Sequence, residues 1–236
     1  MGKTISDETL KSNKYKIVAG IDNSKTSVDY PVYNSIWDVK EEVDVILDFS
    51  NRALLSQILE FAISRKLPAV LATTGYTEGD VKSILEAAEV IPIFRSANMS
   101  YGINVIIKLL KKAALLLEED YDIEIIEKHH KMKKDSPSGT AKMIANAMNE
   151  SITDKCEFVY GREGNNNRRK ENEIGIHAIR GGTISGEHTV IFAGNDEIIE
   201  IKHTSLSKKV YASGALKAVE FINGKESGMY NMDSML

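Results

Sequence analysis

Between Glu42 and Leu117 the chain alternates short apolar runs with longer runs of helical period, and that alternation narrows the folds open to it. Glu42–Phe49 contains Val-Asp-Val-Ile-Leu-Asp-Phe, a buried-strand pattern. Residues 52–65 carry Leu55, Ile58, Leu59 and Ala62 at helical spacing. A strand follows at Ala69–Ala72, a turn at Thr73-Thr74-Gly75, and a helix over 77–89. Ile91–Phe94 is the next strand, and residues 101–118 form a long apolar helix. Strands and helices joined this closely predict parallel βαβ units, not a helical bundle.

The beginning and end of the chain fit that plan. Residues 3–13 read as a short polar helix, Tyr15–Ile21 as a strand closing on Asp22, and 208–222 as a helix. In dinucleotide folds a glycine-rich turn opens the first helix, and an acid about 20 residues later binds ribose hydroxyls. Gly2 and Asp22 stand at that spacing. The fold expected is therefore α/β and Rossmann-like, entered about a dozen residues in, with the first strand missing. Two other readings of the start compete. Gly2-Lys3-Thr4 matches the end of a phosphate-loop GxxxxGKT, with Val43–Asp48 as its metal-binding strand, or the start is ordinary and nothing is missing.

Beyond residue 120 strands dominate. Asp122–Ile126, Glu157–Tyr160, Glu173–Ile179, Thr183–Ile184, Thr189–Ala193 and Ile198–His203 are the candidates, with a helix at Ala141–Met148. They predict an α+β domain with an open mixed sheet. Its Gly-, Asn- and Arg-rich loop 161–171 is the best candidate for a mobile segment. The domains expected are 1–100 with 209–236 for the dinucleotide, and 101–208 for substrate binding and oligomerisation.

Bulk properties exclude more than they assign. A formal net charge of -4 over 236 residues gives no basic face for nucleic acid. The single Cys156 precludes an intrachain disulfide and a multi-cysteine metal site, and fits a reducing cytoplasm. No run reaches the length of a membrane span.

The chemistry concentrates in Glu127–Ala141, a polar junction between a strand and a helix, where helix N–H groups lie open. Neighbouring strand residues face opposite ways, so His129 and His130 cannot share one ligand unless the strand has ended, and metal is not expected. Pro137 and Ser138 suit a helix start, Gly139 permits close approach, and the turn offers an anion site beside Lys133. That arrangement suits a substrate carrying carboxylates, with His129 or His130 as a proton donor.

These residues resemble the 4-hydroxy-tetrahydrodipicolinate reductase (dihydrodipicolinate reductase) family of bacterial lysine biosynthesis. Its motif E-x-H-H-x-x-K-x-D-x-P-S-G-T-A is met by Glu127, His129, His130, Lys133, Asp135, Pro137, Ser138, Gly139, Thr140 and Ala141. Similar stretches recur at Asp48-Phe49-Ser50, Thr73-Thr74-Gly75, Ala97–Ser100, Glu173–His177, Arg180-Gly181-Gly182, Gly186–Thr189 and Gly228–Met232. The resemblance implies reduction of a cyclic, unsaturated dicarboxylate, within diaminopimelate and lysine biosynthesis, by hydride from NADH or NADPH. It implies His129 and Lys133 as catalytic groups, and His130, Ser138, Gly139 and Thr140 as substrate-binding residues. Met1, Gly2, Asp22, Ala72, Thr73, Thr74, Ser96, Ala97, Asn98 and Met99 would hold the cofactor, and a homotetramer is the assembly implied.

Three departures are visible: the glycine-rich loop is represented only by Met1 and Gly2, Ala72 stands where glycine is usual, and Lys208 where arginine is common. Asn23 follows Asp22 in place of a basic residue, which favours NADH, with Lys25 acting against that preference. Two alternatives are a truncated homologue, impaired in cofactor binding and inactive or regulatory, and a different nicotinamide oxidoreductase. The second has no need of His129–Thr140.

Overall fold

The computed structural model describes residues 1–23 and 27–236, so Lys25 lies outside the described residues. In chain order the elements begin with α1 (Gly2–Thr9), β1 (Gly20–Ile21), β2 (Val32–Tyr33), β3 (Ile46–Asp48) and α2 (Leu55–Arg65). Next come β4 (Ala69–Leu71), α3 (Glu78–Ala88), β5 (Pro92–Arg95), α4 (Tyr101–Leu117), β6 (Asp122–His129) and α5 (Gly139–Ser151). The chain continues through β7 (Glu157–Tyr160), β8 (Glu173–Arg180), β9 (Glu187–Ala193) and β10 (Ile198–Thr204). It closes with α6 (Lys209–Ile222), β11 (Gly228–Tyr230) and α7 (Met232–Met235). Two compact units result: Met1–Tyr101 with Lys209–Leu236, and Gly102–Lys208.

The first unit holds a parallel sheet in the order β11-β5-β4-β3. Successive strand residues face opposite sides, and both sides here are apolar. Ala69 and Leu71 of β4, with Ile93 of β5, share a core with Leu55, Ile58 and Ile84 from α2 and α3. Val70, Ala72 and Phe94 turn the other way and join Ala215, Ala218 and Ile222 of α6. Each fully buried Leu, Ile or Phe side chain contributes about 1.5–3 kcal/mol. Gly214 lets α6 approach the turn after β5: a Cβ there would lie 1.7 Å from the Met99 carbonyl oxygen. Helix α3 starts at a capping box, in which Thr77 and Asp80 each satisfy the other's backbone N–H.

The expected Tyr15–Ile21 strand is shorter than its apolar run suggests. Only Gly20–Ile21 pairs, in parallel with Val32–Tyr33. Tyr15–Ala19 has no partner strand among the described residues, and an apolar run without a ladder neighbour gains no strand hydrogen bonds. Likewise the Glu42–Phe49 run contributes strand only over Ile46–Asp48, where β4 supplies a neighbour.

The second unit is a five-stranded mixed sheet in the order β10-β9-β6-β8-β7. Strands β6, β7 and β8 run parallel, and β9 is antiparallel to both β6 and β10. Helices α4 and α5 cover one face, where Leu110, Ile144 and Met148 pack with Ile123, Ile125, Ile174, Val190 and Phe192. Along β6 the same face continues through Glu127 to His129, which is how the sheet delivers polar groups beside the start of α5. The expected strand at Thr183–Ile184 is instead part of the β8–β9 turn, where Gly182 takes φ +46°. Loop 161–171 is tied down by two arginines. Arg162 pairs with Glu124 at 3.2 Å and Glu173 at 2.8 Å, and Arg169 with Asp122 at 2.8 Å.

Candidate active site

Strand β6 ends at His129, so His130 is free of the strand's alternation; it sits half-buried just beyond, its carbonyl accepting the Lys133 N–H. His129 is buried, and its Nδ1 lies 2.6 Å from Oε2 of Glu127, two residues earlier on the same face. Glu127 has no exposed surface. Its carboxylate accepts both Arg180 guanidinium N–H groups at 2.7 Å, and the Ser138 N–H at 2.9 Å. Burial pushes the Glu127 carboxyl up, but Arg180, His129 and the Ser138 N–H together hold it below the ordinary carboxylate range. The group is therefore anionic, and Nδ1 of His129 must carry the hydrogen it donates. Nε2 is left as the ring atom for chemistry. It abuts Gly186, where a Cβ would come within 3.1 Å of it.

Ser138 is the N-cap of α5, and the preceding Ser136–Pro137 bond is cis. The Ser138 hydroxyl accepts the Ala141 N–H at 3.1 Å and lies 2.9 Å from Nε2 of His188. Its polar groups are thus spent inside the protein, and the helix start presents Gly139, which is exposed with open space where a side chain would stand. Thr140 is half-buried in the same turn. Lys133 reaches back to Asp135 at 2.9 Å and lowers that carboxyl's pKa, while Arg180 also donates to the Asp135 carbonyl at 2.8 Å. One guanidinium therefore fixes both Glu127 and the loop that carries Lys133.

His188 lies across from Glu127 on β9 and from His203 on β10, with its ring edge-on to His129 at 5.3 Å. Burial first, and then the neighbouring His129, push its pKa down to about 4, so it is neutral near pH 7. The unfolded chain regains an ordinary histidine and binds the extra proton from about pH 6.5 downward. Stability is accordingly full above pH 6.5 and falls as the pH drops towards about 4, by up to about 3 kcal/mol. Thermal midpoints measured from pH 7 to 4 are expected to fall less steeply in a His188→Asn variant than in the wild type; parallel curves would contradict this assignment.

The residues expected to hold a cofactor lie in the first unit. Met1 caps α1 and Gly2 opens it. Asp22 follows β1 and is exposed, its N–H donating to the Tyr33 carbonyl at 3.1 Å. Ala72, Thr73 and Thr74 leave the carboxyl end of β4, and Ser96–Met99 that of β5, two strands paired in register at Leu71 and Arg95. Ligands of open α/β sheets bind at that edge. Ala72 N–H donates to the Asp48 carbonyl at 2.9 Å, and the Ser96 hydroxyl to the Asn98 carbonyl at 2.9 Å, which fixes both turns. Ala97 is exposed, and Met99 is buried beneath. The Thr73 hydroxyl is buried in this turn beside the Tyr76 hydroxyl, polar groups of the kind that suit a bound cofactor's ribose.

Sequence reasoning gave no role to Glu127, Arg180 or His188. The signal for Glu127 was its i, i+2 relation to His129 on a strand, which places both on one face. Arg180 and His188 come from β8 and β9, and their approach to β6 depends on strand order, which one sequence does not display.

Comparison with known proteins finds matches along the whole chain. Residues 1–99 match the family model "Dihydrodipicolinate reductase, N-terminus", and 102–236 match "Dihydrodipicolinate reductase, C-terminus". The 4-hydroxy-tetrahydrodipicolinate reductase of Caldanaerobacter subterraneus subsp. tengcongensis is 51% identical over 236 residues, covering 100% of this chain and 94% of that protein. That of Clostridium tetani is 53% identical over 237 residues, covering 100% and 92%. In fold, the chain is similar to a dipicolinate-bound dihydrodipicolinate reductase from Paenisporosarcina sp., with a TM-score of 0.82 at 22% identity, covering 100% of this chain and 95% of that one. With both domain families matched end to end and relatives sharing half of its residues, the chain belongs to the dihydrodipicolinate reductase family.

Proposed function

We propose that this protein reduces 4-hydroxy-tetrahydrodipicolinate to tetrahydrodipicolinate, in diaminopimelate and lysine biosynthesis, with a reduced nicotinamide cofactor. The observation that carries this reading is the Glu127–His129 pair at 2.6 Å, which engages Nδ1 of a buried histidine and leaves Nε2 facing Gly186. The net reaction removes water from the hydroxylated ring and adds one hydride and one proton across the resulting double bond. The cofactor supplies the hydride. His129 delivers the proton from Nε2 to the adjacent carbon and is recharged from solvent. Lys133 neutralises charge on the substrate as the second catalytic group, and His130 with the Ser138–Thr140 turn holds the carboxylates. Ser138 contributes by capping that turn, because its hydroxyl is engaged by Ala141 and His188.

In the first unit, Met1 and Gly2 would lie at the pyrophosphate and Asp22 at the adenosine ribose. Ala72–Thr74 and Ser96–Met99 would line the nicotinamide and its ribose. Asn23 offers no charge for a 2′-phosphate, which supports NADH. Residues 1–100 with 209–236 then serve the dinucleotide, and 101–208 the substrate and assembly. Exposed Ile179 and Ile198, on the sheet face opposite the helices, support a homotetramer. A cytoplasmic setting is supported by the single free Cys156. Among the described residues no helix is long and apolar enough to cross a membrane.

Substrate made in situ by the preceding condensation, mixed with purified protein and NADH, is expected to give substrate-dependent NADH oxidation. The kcat/KM should exceed that with NADPH by about tenfold, the loss expected for one unmade charged hydrogen bond. Equal or reversed preference would overturn the NADH assignment, and no oxidation with either cofactor would overturn the function.

A further inference from the structure

We infer that Glu127 and Arg180 are a positioning pair that sets the proton affinity of His129 in opposite senses: the carboxylate raises it, and the guanidinium limits how far. The inference rests on reading His129 as the proton donor, and goes on to say what allows it to give its proton up.

The acceptor capacity of Glu127 is fully used. Oε1 takes the Ser138 N–H and one Arg180 N–H, and Oε2 takes the other Arg180 N–H and Nδ1 of His129. A carboxylate with no exposed surface, 2.6 Å from an imidazole and otherwise unpaired, would hold the imidazolium proton strongly. The two-pronged Arg180 contact spreads that negative charge over a second partner and so weakens its pull on His129. The Gly181 N–H donates to the His129 carbonyl at 2.9 Å, so the residue next to Arg180 also fixes the backbone of the donor.

The other groups near the ring do not replace this pair. His188 on β9 faces it edge-on and is neutral, and His203 on β10 stands behind His188. Lys133 and Asp135, on the loop after β6, are bonded to each other at 2.9 Å. Lys128 of β6 and Glu187 of β9 are likewise bonded to each other at 2.5 Å. The charged group in direct contact with the His129 ring is Glu127, and Arg180 is the cation that shares its carboxylate.

The test is the pH dependence of kcat, with an NMR titration of the His129 ring as a readout independent of turnover. In Glu127→Gln the alkaline limb, and the ring titration with it, should move to lower pH by about 1 unit. In Arg180→Gln both should move to higher pH by a similar amount. A purely architectural role would lower kcat in both variants and leave the limb in place. Limbs that do not move, or that move in the same direction, overturn the proposal. Should Arg180→Gln not fold, Arg180→Lys decides: the charge stays but the fork is lost, so an alkaline shift supports the proposal and an unshifted profile overturns it. A His129→Gln control separates the two readings. If that variant keeps wild-type turnover, the donor assignment itself is wrong. If it is inactive while the Glu127 and Arg180 profiles stay unshifted, only the positioning proposal falls.

Discussion

His129→Gln is expected to lower turnover by about two to four orders of magnitude, the usual contribution of a positioned general acid. Glutamine nearly matches the reach of histidine, and its amide can still donate to Glu127, so the buried carboxylate keeps a partner. What it cannot do is carry a titratable proton at the position of Nε2. The loss should therefore fall on kcat. Leaving Glu127 partnered matters for the interpretation. His129→Ala would open a cavity and strand one lone pair of a fully buried anion, at a cost of about 1–3 kcal/mol or more, mixing stability with catalysis.

Lys133→Ala is expected to lower kcat/KM by about 10–100-fold, the value of one or two hydrogen bonds from a charged donor to a carboxylate. Stability should change by less than about 1 kcal/mol, because the Asp135 carboxylate that Lys133 meets is more than half exposed, and exposed pairs contribute little. Kinetics and thermal unfolding of the same preparation check both halves. A large fall in the unfolding midpoint, with kcat/KM intact, would make Lys133 a structural residue. Lys133→Arg should recover part of the loss, since charge is restored while the shape of the donor changes.

Much of the architecture was legible because burial writes itself into periodicity. Ala69–Ala72 and Ile91–Phe94 read as strands, and β4 and β5 form there because both of their faces are covered; α2 and α3 carry apolar stripes that match the sheet face they meet. Thr183–Ile184 misled for the same reason in reverse: two β-branched residues suggest a strand, but the turn around Gly182 takes them. Loop 161–171 looked mobile from its glycines and asparagines, and its Arg162 and Arg169 reach Glu124 and Asp122 of β6, which are distant in sequence.

At the site, the cap at Ser138 and the candidacy of His129 and Lys133 were readable from local residue types, whereas β6 runs on to His129, three residues past the expected Asp122–Ile126. The full assignment of Ser138 to internal bonds was not. It needs His188 to arrive from β9, 50 residues later in the chain. The Arg180–Glu127 fork is of the same kind, a contact between parallel neighbours 53 residues apart. Local chemistry shows in the string, and the partners that tune it come from strand order.

The central claim is that His129 moves a proton and does not hold the substrate. Measuring dipicolinate affinity by calorimetry and turnover with NADH on one preparation of His129→Gln tests it most directly. An affinity within about threefold of wild type, less than one neutral hydrogen bond, is expected, with turnover lower by at least about 100-fold. Wild-type turnover, or a loss of affinity large enough to explain the loss of rate, would contradict it.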